Sequence, residues 1–269
     1  MLPKPDWRQM SEAEISAADT SNWIAVLPLG ATEQHGLHLP AETDTIIAQG
    51  ICDHLKPMLA GELPVTFLAV EEIGYSPEHS DYPASKTLSY EDALRRWISF
   101  GEMLHSYGIR KLVLLNAHGG NSPLMTIVAT ELRCRFDMFC AFTSWTRFGS
   151  PSEIVGEKEK AFGIHGGDIE TSVMLALAPH LVDMNAAGDH DSLQAELASR
   201  NEYLRAYGPH AFGWKMQDLN PIGVVGNSSA ATAEKGEDLL EEALLGLVKF
   251  FEEVDEFDLE KLQSKPVFK

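Results

Sequence analysis

Trp23-Ile24-Ala25-Val26-Leu27-Pro28-Leu29 is a nearly unbroken apolar run that leads directly into Gly30-Ala31-Thr32-Glu33-Gln34-His35-Gly36. A strand with one solvated face would alternate polar and apolar residues. A run without alternation predicts a strand buried on both faces, as in a parallel sheet covered by helices on either side. Further apolar runs at residues 65–70, 111–116 and 138–145 read the same way. Between them, residues 44–55, 90–107 and 122–136 carry apolar positions at helical spacing. Regular alternation of strand and helix predicts a single α/β domain over residues 1–269, with a mostly parallel sheet.

The remaining segments are read in the same way. Ser11 and Glu14 form the S-x-x-E pattern of a capping box, which predicts a helix over residues 8–18. Residues 74–87 are polar, rich in turn formers and too long for a simple connection, so they are expected to form a functional loop. Residues 146–164 read as a charged loop. A helix is predicted over 170–178, opened by the His165-Gly166-Gly167-Asp168-Ile169-Glu170 segment. Another is placed around 193–207, a short strand at 222–226 and a long helix over 230–254.

Composition bounds the function. The chain has 269 residues, 44% of them hydrophobic, and a formal net charge of -19. So acidic a surface repels nucleic-acid phosphate and anionic lipid. No apolar stretch approaches the ~20 residues of a membrane span, and the first residues lack the apolar core of a signal peptide. The three cysteines, Cys52, Cys134 and Cys140, are odd in number and form no C-x-x-C pair. They read as apolar filler in a reducing, cytoplasmic compartment.

In open parallel sheets, ligands bind beyond the carboxyl ends of the strands. Glu33 and His35 follow the first strand and His118 follows the third. Parallel strands would bring all three to one sheet edge. Asp44 and Glu170 fall at predicted helix starts, where a carboxylate can turn inward. Asp44 has two oxygens and could bridge two ions. Glu33, Asp44 and Glu170 bring three negative charges, and His35 and His118 are neutral ligands. Two divalent cations with one hydroxide would neutralise that set, and such cations lower the pKa of bound water towards ~7. Carboxylate and imidazole ligands without cysteine suit zinc, manganese or iron.

These residues lie in segments that resemble the creatininase (creatinine amidohydrolase) family. Leu27 to Gly36 with Thr43-Asp44 is similar to its first metal motif. Asn116-Ala117-His118-Gly119-Gly120-Asn121 resembles its N-G-H-G-G-N motif, and His165 to Ser172 its H-[AG]-G-x-x-E-T-S motif. Gly223-Val224-Val225-Gly226 with Ala231 to Gly236 resembles its C-terminal signature. The resemblance implies a three-layer α/β/α fold, a hexameric homo-oligomer, and two divalent metal ions per subunit that hydrolyse non-peptide C–N bonds of small amides or cyclic amides. It further implies that Glu33, Asp44 and His118 hold one metal, that His35, Asp44 and Glu170 hold the other, and that His165 moves protons.

The departures bear on substrate. Creatininase has a glutamate where this chain has Gly120 and a tryptophan where it has Ala161, which argues against creatinine. A second substrate-side tryptophan has its counterpart in Trp145. Tyr75 and His79 are expected to reach the substrate from the 74–87 loop. The alternatives are a family branch acting on a formamide or on a peptide in cofactor maturation, or a relative that binds a metal or metabolite without hydrolysing it.

Overall fold

The structure is a computed structural model and describes residues 2–262. Four strands, β1 (Ile24–Leu29), β2 (Val65–Phe67), β3 (Lys111–Asn116) and β4 (Phe139–Ser144), form one sheet in the order β2-β1-β3-β4. Every pairing in it is parallel. Helices α1 (Glu12–Ala17), α2 (Thr43–Leu59), α3 (Tyr90–Ser106), α4 (Ser122–Phe136), α5 (Pro151–Val155) and α6 (Glu157–Phe162) occupy the first part of the chain. Helices α7 (Asp168–Leu177), α8 (Leu193–Arg200), α9 (Met216–Leu219) and α10 (Ala233–Glu256) follow, with a two-stranded antiparallel pair of β5 (Asp189–His190) and β6 (Gly226–Asn227).

The pleat of the sheet sorts its side chains into two cores. Ile24 and Val26 of β1, with Val113 and Leu115 of β3, face Ile47, Ile51 and Leu55 of α2 and Leu247 and Phe251 of α10. Ala25, Leu27 and Leu29, with Leu112 and Leu114, face Trp97 and Leu104 of α3 and Val128 and Leu132 of α4. Consecutive residues point to opposite faces, so a strand covered on both sides must be apolar throughout. All of β1 is buried accordingly. The result is a three-layer α/β/α sandwich. Among the described residues, no helix is long and apolar enough to cross a membrane.

Several expected elements differ. β2 stops at Phe67; the chain detours and returns to β1 at Glu71, whose N–H bonds Pro28 O at 2.9 Å. Residues 146–164 contain α5 and α6, separated by Gly156 at φ +88°. Helices of five and six residues leave too little periodicity to detect. Residues 222–226 do not join the sheet, because Gly223 and Gly226 at φ +78° and +137° bend the chain. Only Gly226–Asn227 pairs as a strand, with β5. The helix expected over 193–207 ends at Arg200, beyond which the chain folds back so that Ala206 N–H meets Gln194 Oε1 at 2.7 Å. Cys52 is buried and Cys140 half-buried, but Cys134 is exposed on α4 and fills no core.

Candidate functional site

β1 and β3 end level with one another, Leu29 opposite Asn116. The loops that leave them therefore start at the same sheet edge. Glu33 and His35 lie in the first loop and His118 in the second, while Asp44 sits in the first turn of α2 and Glu170 in the first turn of α7. Glu33, His35, Asp44 and His118 are all at least 95% buried.

Hydrogen bonds fix the direction of each imidazole. His35 Nδ1–H donates to Glu33 O at 2.9 Å, and His118 Nε2–H donates to Tyr75 O at 3.1 Å. A neutral ring that donates from one nitrogen presents a lone pair at the other. His35 Nε2 then faces Asp44 Oδ1 at 3.4 Å and Glu170 Oε2 at 3.9 Å. His118 Nδ1 faces Asp44 Oδ2 at 3.3 Å and Glu33 Oε1 at 3.2 Å. Lone pairs facing carboxylate oxygens repel unless a cation, or a proton, lies between them. His35 Nε2 and Asp44 Oδ2 are buried and have no hydrogen-bond partner. This donor set fits divalent cations: Glu33, His35 and Asp44 offer ligand atoms within 4.8 Å of one another, and so do His35, His165 and Glu170, and Glu33, Glu78 and His118.

In the metal-free chain, protons supply the positive charge. Burial lowers the His35 pKa, but Asp44, Glu170 and Glu33 outweigh it and push it up to about 10. Burial likewise opposes a charge on His118, and Glu33 and Asp44 hold its pKa well above the ordinary imidazole value. Glu33 is pushed up by burial but held well below the usual carboxylate range by His118, His79 and His165. Burial raises Glu170 to about 7 against the pull of His35.

His165 Nε2–H donates to Gln34 O at 2.6 Å, leaving Nδ1 turned toward Glu33 Oε1 at 3.5 Å. Its ring lies between those of His35 and His79, with centroids 4.2 and 4.3 Å away. Burial and these two neighbours hold its pKa well below the ordinary value.

A cavity of about 570 Å³ opens beside the cluster, and His118, His165 and Glu170 lie in its wall. Trp145 and Phe148 supply aromatic surface, and Arg147 and Lys160 supply exposed cations. Tyr75 and His79, expected at the substrate, are not among its lining residues. The loop carrying them touches the cluster through the Tyr75 carbonyl and the His79 ring. Tyr75 acts through its backbone, as the His118 acceptor, and its ring packs on the core beneath α3. His79 is buried with Nε2 3.4 Å from Glu33 Oε1.

Sequence reasoning missed the groups that hold this arrangement. Asn121 Oδ1 accepts from Tyr75 N–H at 2.9 Å, and its Nδ2 donates to Gly30 O and to Asn116 Oδ1, each at 3.1 Å. Asn116 in turn accepts from His118 N–H and donates to His118 O. Three loops thus meet on one buried amide. Asn121→Ala should lower stability by about 3 kcal/mol, since it strands buried backbone groups; urea unfolding measures this. Ser76 Oγ–H donates to Glu33 Oε2. Gly120 is explained by its neighbours: a Cβ there would lie 2.5 Å from Tyr75 O and 2.6 Å from Glu78 Oε1. The His118 ring, the Tyr75 carbonyl and the Glu78 carboxylate together take up the space a side chain at 120 would enter. The glycines of the motif do not by themselves show which groups fill the space around them.

The chain is 32% identical over 224 residues to the mycofactocin precursor peptide peptidase of Mycobacterium ulcerans (strain Agy99), covering 80% of each. It is 26% identical over 272 residues to the creatinine amidohydrolase of Pseudomonas putida, covering 90% of this chain and 92% of that one. A zinc–zinc form of a creatininase variant superposes with a TM-score of 0.73 at 25% identity, over 95% of this chain and 100% of that one. Residues 8–251 match the family described as creatininase, creatinine amidohydrolase, and the chain belongs to the creatininase family.

Proposed function

We propose that this creatininase-family hydrolase cleaves a C–N bond of an amide with two divalent cations held between Glu33, His35, Asp44, His118 and Glu170. One observation carries the reading: the two oxygens of Asp44 face two imidazole nitrogens whose partner nitrogens are already committed as donors. Zinc, manganese and iron suit these ligands. Bound there, such ions supply Lewis-acid polarisation of a carbonyl and an acidified water.

The chain's own residues do the rest. Trp145 and Phe148 bound the substrate in the cavity and limit water beside the cluster. His165, neutral and oriented by Gln34 O, presents Nδ1 to take a proton from the attacking water and return it to the leaving nitrogen. His79 flanks His165 and Glu33 and keeps them in place.

The candidate substrates fall into three classes: a cyclic amide, a formamide and a peptide. The peptide reading is favoured here. The cavity is large for a small ring, and its exposed rim at Arg147 and Lys160 leaves room for a chain to extend. Elemental analysis after reconstitution, with turnover of a panel of peptides, formamides and creatinine, tests the proposal. Fewer than one divalent ion per chain, or no cleavage of any amide by the loaded protein, would overturn it. His165→Gln should lower kcat by about 10²–10⁴ while leaving metal content unchanged; parallel loss of metal would instead make His165 a ligand.

A further inference from the structure

Glu159 is a buried carboxylate in a segment whose other charged residues are exposed. It is 7% exposed and belongs to α6, in the stretch Glu157-Lys158-Glu159-Lys160. Its Oε1 accepts the N–H of Asp168 at 2.7 Å, and its Oε2 accepts the N–H of Asn227 at 2.8 Å. Asp168 opens α7, so the first of these bonds also sets a negative charge at a helix N-terminus, where the helix dipole favours it.

Three glycines surround this carboxylate. A Cβ on Gly163, Gly167 or Gly226 would collide with Glu159 Oε1. At Gly226 the φ of +137° already favours glycine. At Gly167 it does not: φ is -84° and ψ -157°, extended backbone that any residue adopts. Gly163, at φ -74° and ψ 116°, is equally ordinary. At these two positions glycine is required by what lies next to it. Three separate parts of the chain are kept without side chains so that one carboxylate can enter between them.

The two bonds of Glu159 bear on the candidate site from two directions. Through Asp168 N–H it fixes the Gly166-Gly167-Asp168 turn, and Gly166 N–H in that turn donates to Glu170 Oε2 at 2.6 Å. Through Asn227 N–H it fixes β6, which Val225 directly precedes, and Val225 N–H donates to His165 O at 2.8 Å. We infer that Glu159 is a positioning residue: its carboxylate staples α6 to the start of α7 and to β6, and so sets the places of Glu170 and His165. Its effect on metal rests on the reading of Glu170 as a ligand.

Glu159→Gln tests this with little change of shape. The amide oxygen can still accept from one N–H, but its NH2 cannot accept from the other. Zinc titration of the full chain by chelator competition should show the second equivalent weakened about 10–100-fold, the scale for losing a group that orients a ligand. The first equivalent, at Glu33 and His118, should change less than about twofold. Hydrogen exchange of the Asp168 and Asn227 amides should accelerate at least tenfold. Gly167→Ala keeps the carboxylate but displaces it, and should reproduce both effects, which covers a Glu159→Gln protein that does not fold. Equal weakening of both equivalents, or unchanged zinc affinity together with unchanged exchange, overturns the inference. Accelerated exchange in a protein whose wild-type form binds no zinc would retain the staple and overturn the metal reading instead.

Discussion

Asp44→Asn is expected to abolish tight binding of both metal ions and to lower kcat by on the order of a thousandfold or more, while the protein stays folded. The substitution preserves shape. It changes the charge and turns one acceptor oxygen into a donor. In the native chain, Asp44 Oδ1 and Oδ2 face His35 Nε2 and His118 Nδ1 at 3.4 and 3.3 Å. An Asn side chain places its NH2 against one of those lone pairs, forms the hydrogen bond that Asp44 cannot, and removes the need for a cation there. Metal polarisation of a carbonyl is worth several kcal/mol in the transition state, and each 1.36 kcal/mol is tenfold in rate. Retained activity above about a tenth of wild type, or two ions per chain in the purified variant, would exclude Asp44 as the shared ligand. Asp44 lies in the first turn of α2 and is not its N-cap residue, which is Glu42; far-UV circular dichroism of the variant checks that the fold is kept.

Metal removal is the second large effect. A chelator should end turnover and destabilise the protein by about 4 kcal/mol relative to the loaded form at a thousandfold excess of free metal over Kd. The metal-free and loaded proteins should also respond to pH with opposite signs. In the metal-free chain the folded-state pKa of His35 is raised to about 10 from its ordinary value of 6.5. The stabilisation from that proton is complete below 6.5 and is lost as pH rises through about 10. In the loaded chain, protons compete with the ions for His35 and His118, so metal is lost as pH falls. Thermal unfolding across pH, with and without chelator, shows whether the two curves diverge. Parallel curves would mean that no ion displaces the His35 proton.

The architecture was readable because a strand covered on both faces has one solution in side-chain chemistry. Trp23 to Leu29 could be placed before any contact was known, and β3 and α4 fall where their patterns end. Glu33, His35 and His118 could be assigned to one edge because parallel strands carry their ends together. Tyr75 and His79 could not be placed in that way. A loop has no period, so the sequence cannot tell whether its side chains face the cavity. The two short helices of residues 151–162 were hidden for a related reason: each is too short to repeat a pattern.

By itself the sequence determined the layers, the parallel order of strand and helix, and the residue types able to hold cations. Those follow from hydrophobic periodicity and donor chemistry, which are local. Only the tertiary structure decided which nitrogen of each imidazole faces a carboxylate, that Asn121 joins three loops, and why Gly120, Gly163 and Gly167 carry no side chain. Each depends on a partner far along the chain, as Glu159 depends on Asp168 and Asn227. A hydrogen bond or an excluded Cβ between such residues leaves no periodic trace in the order of amino acids.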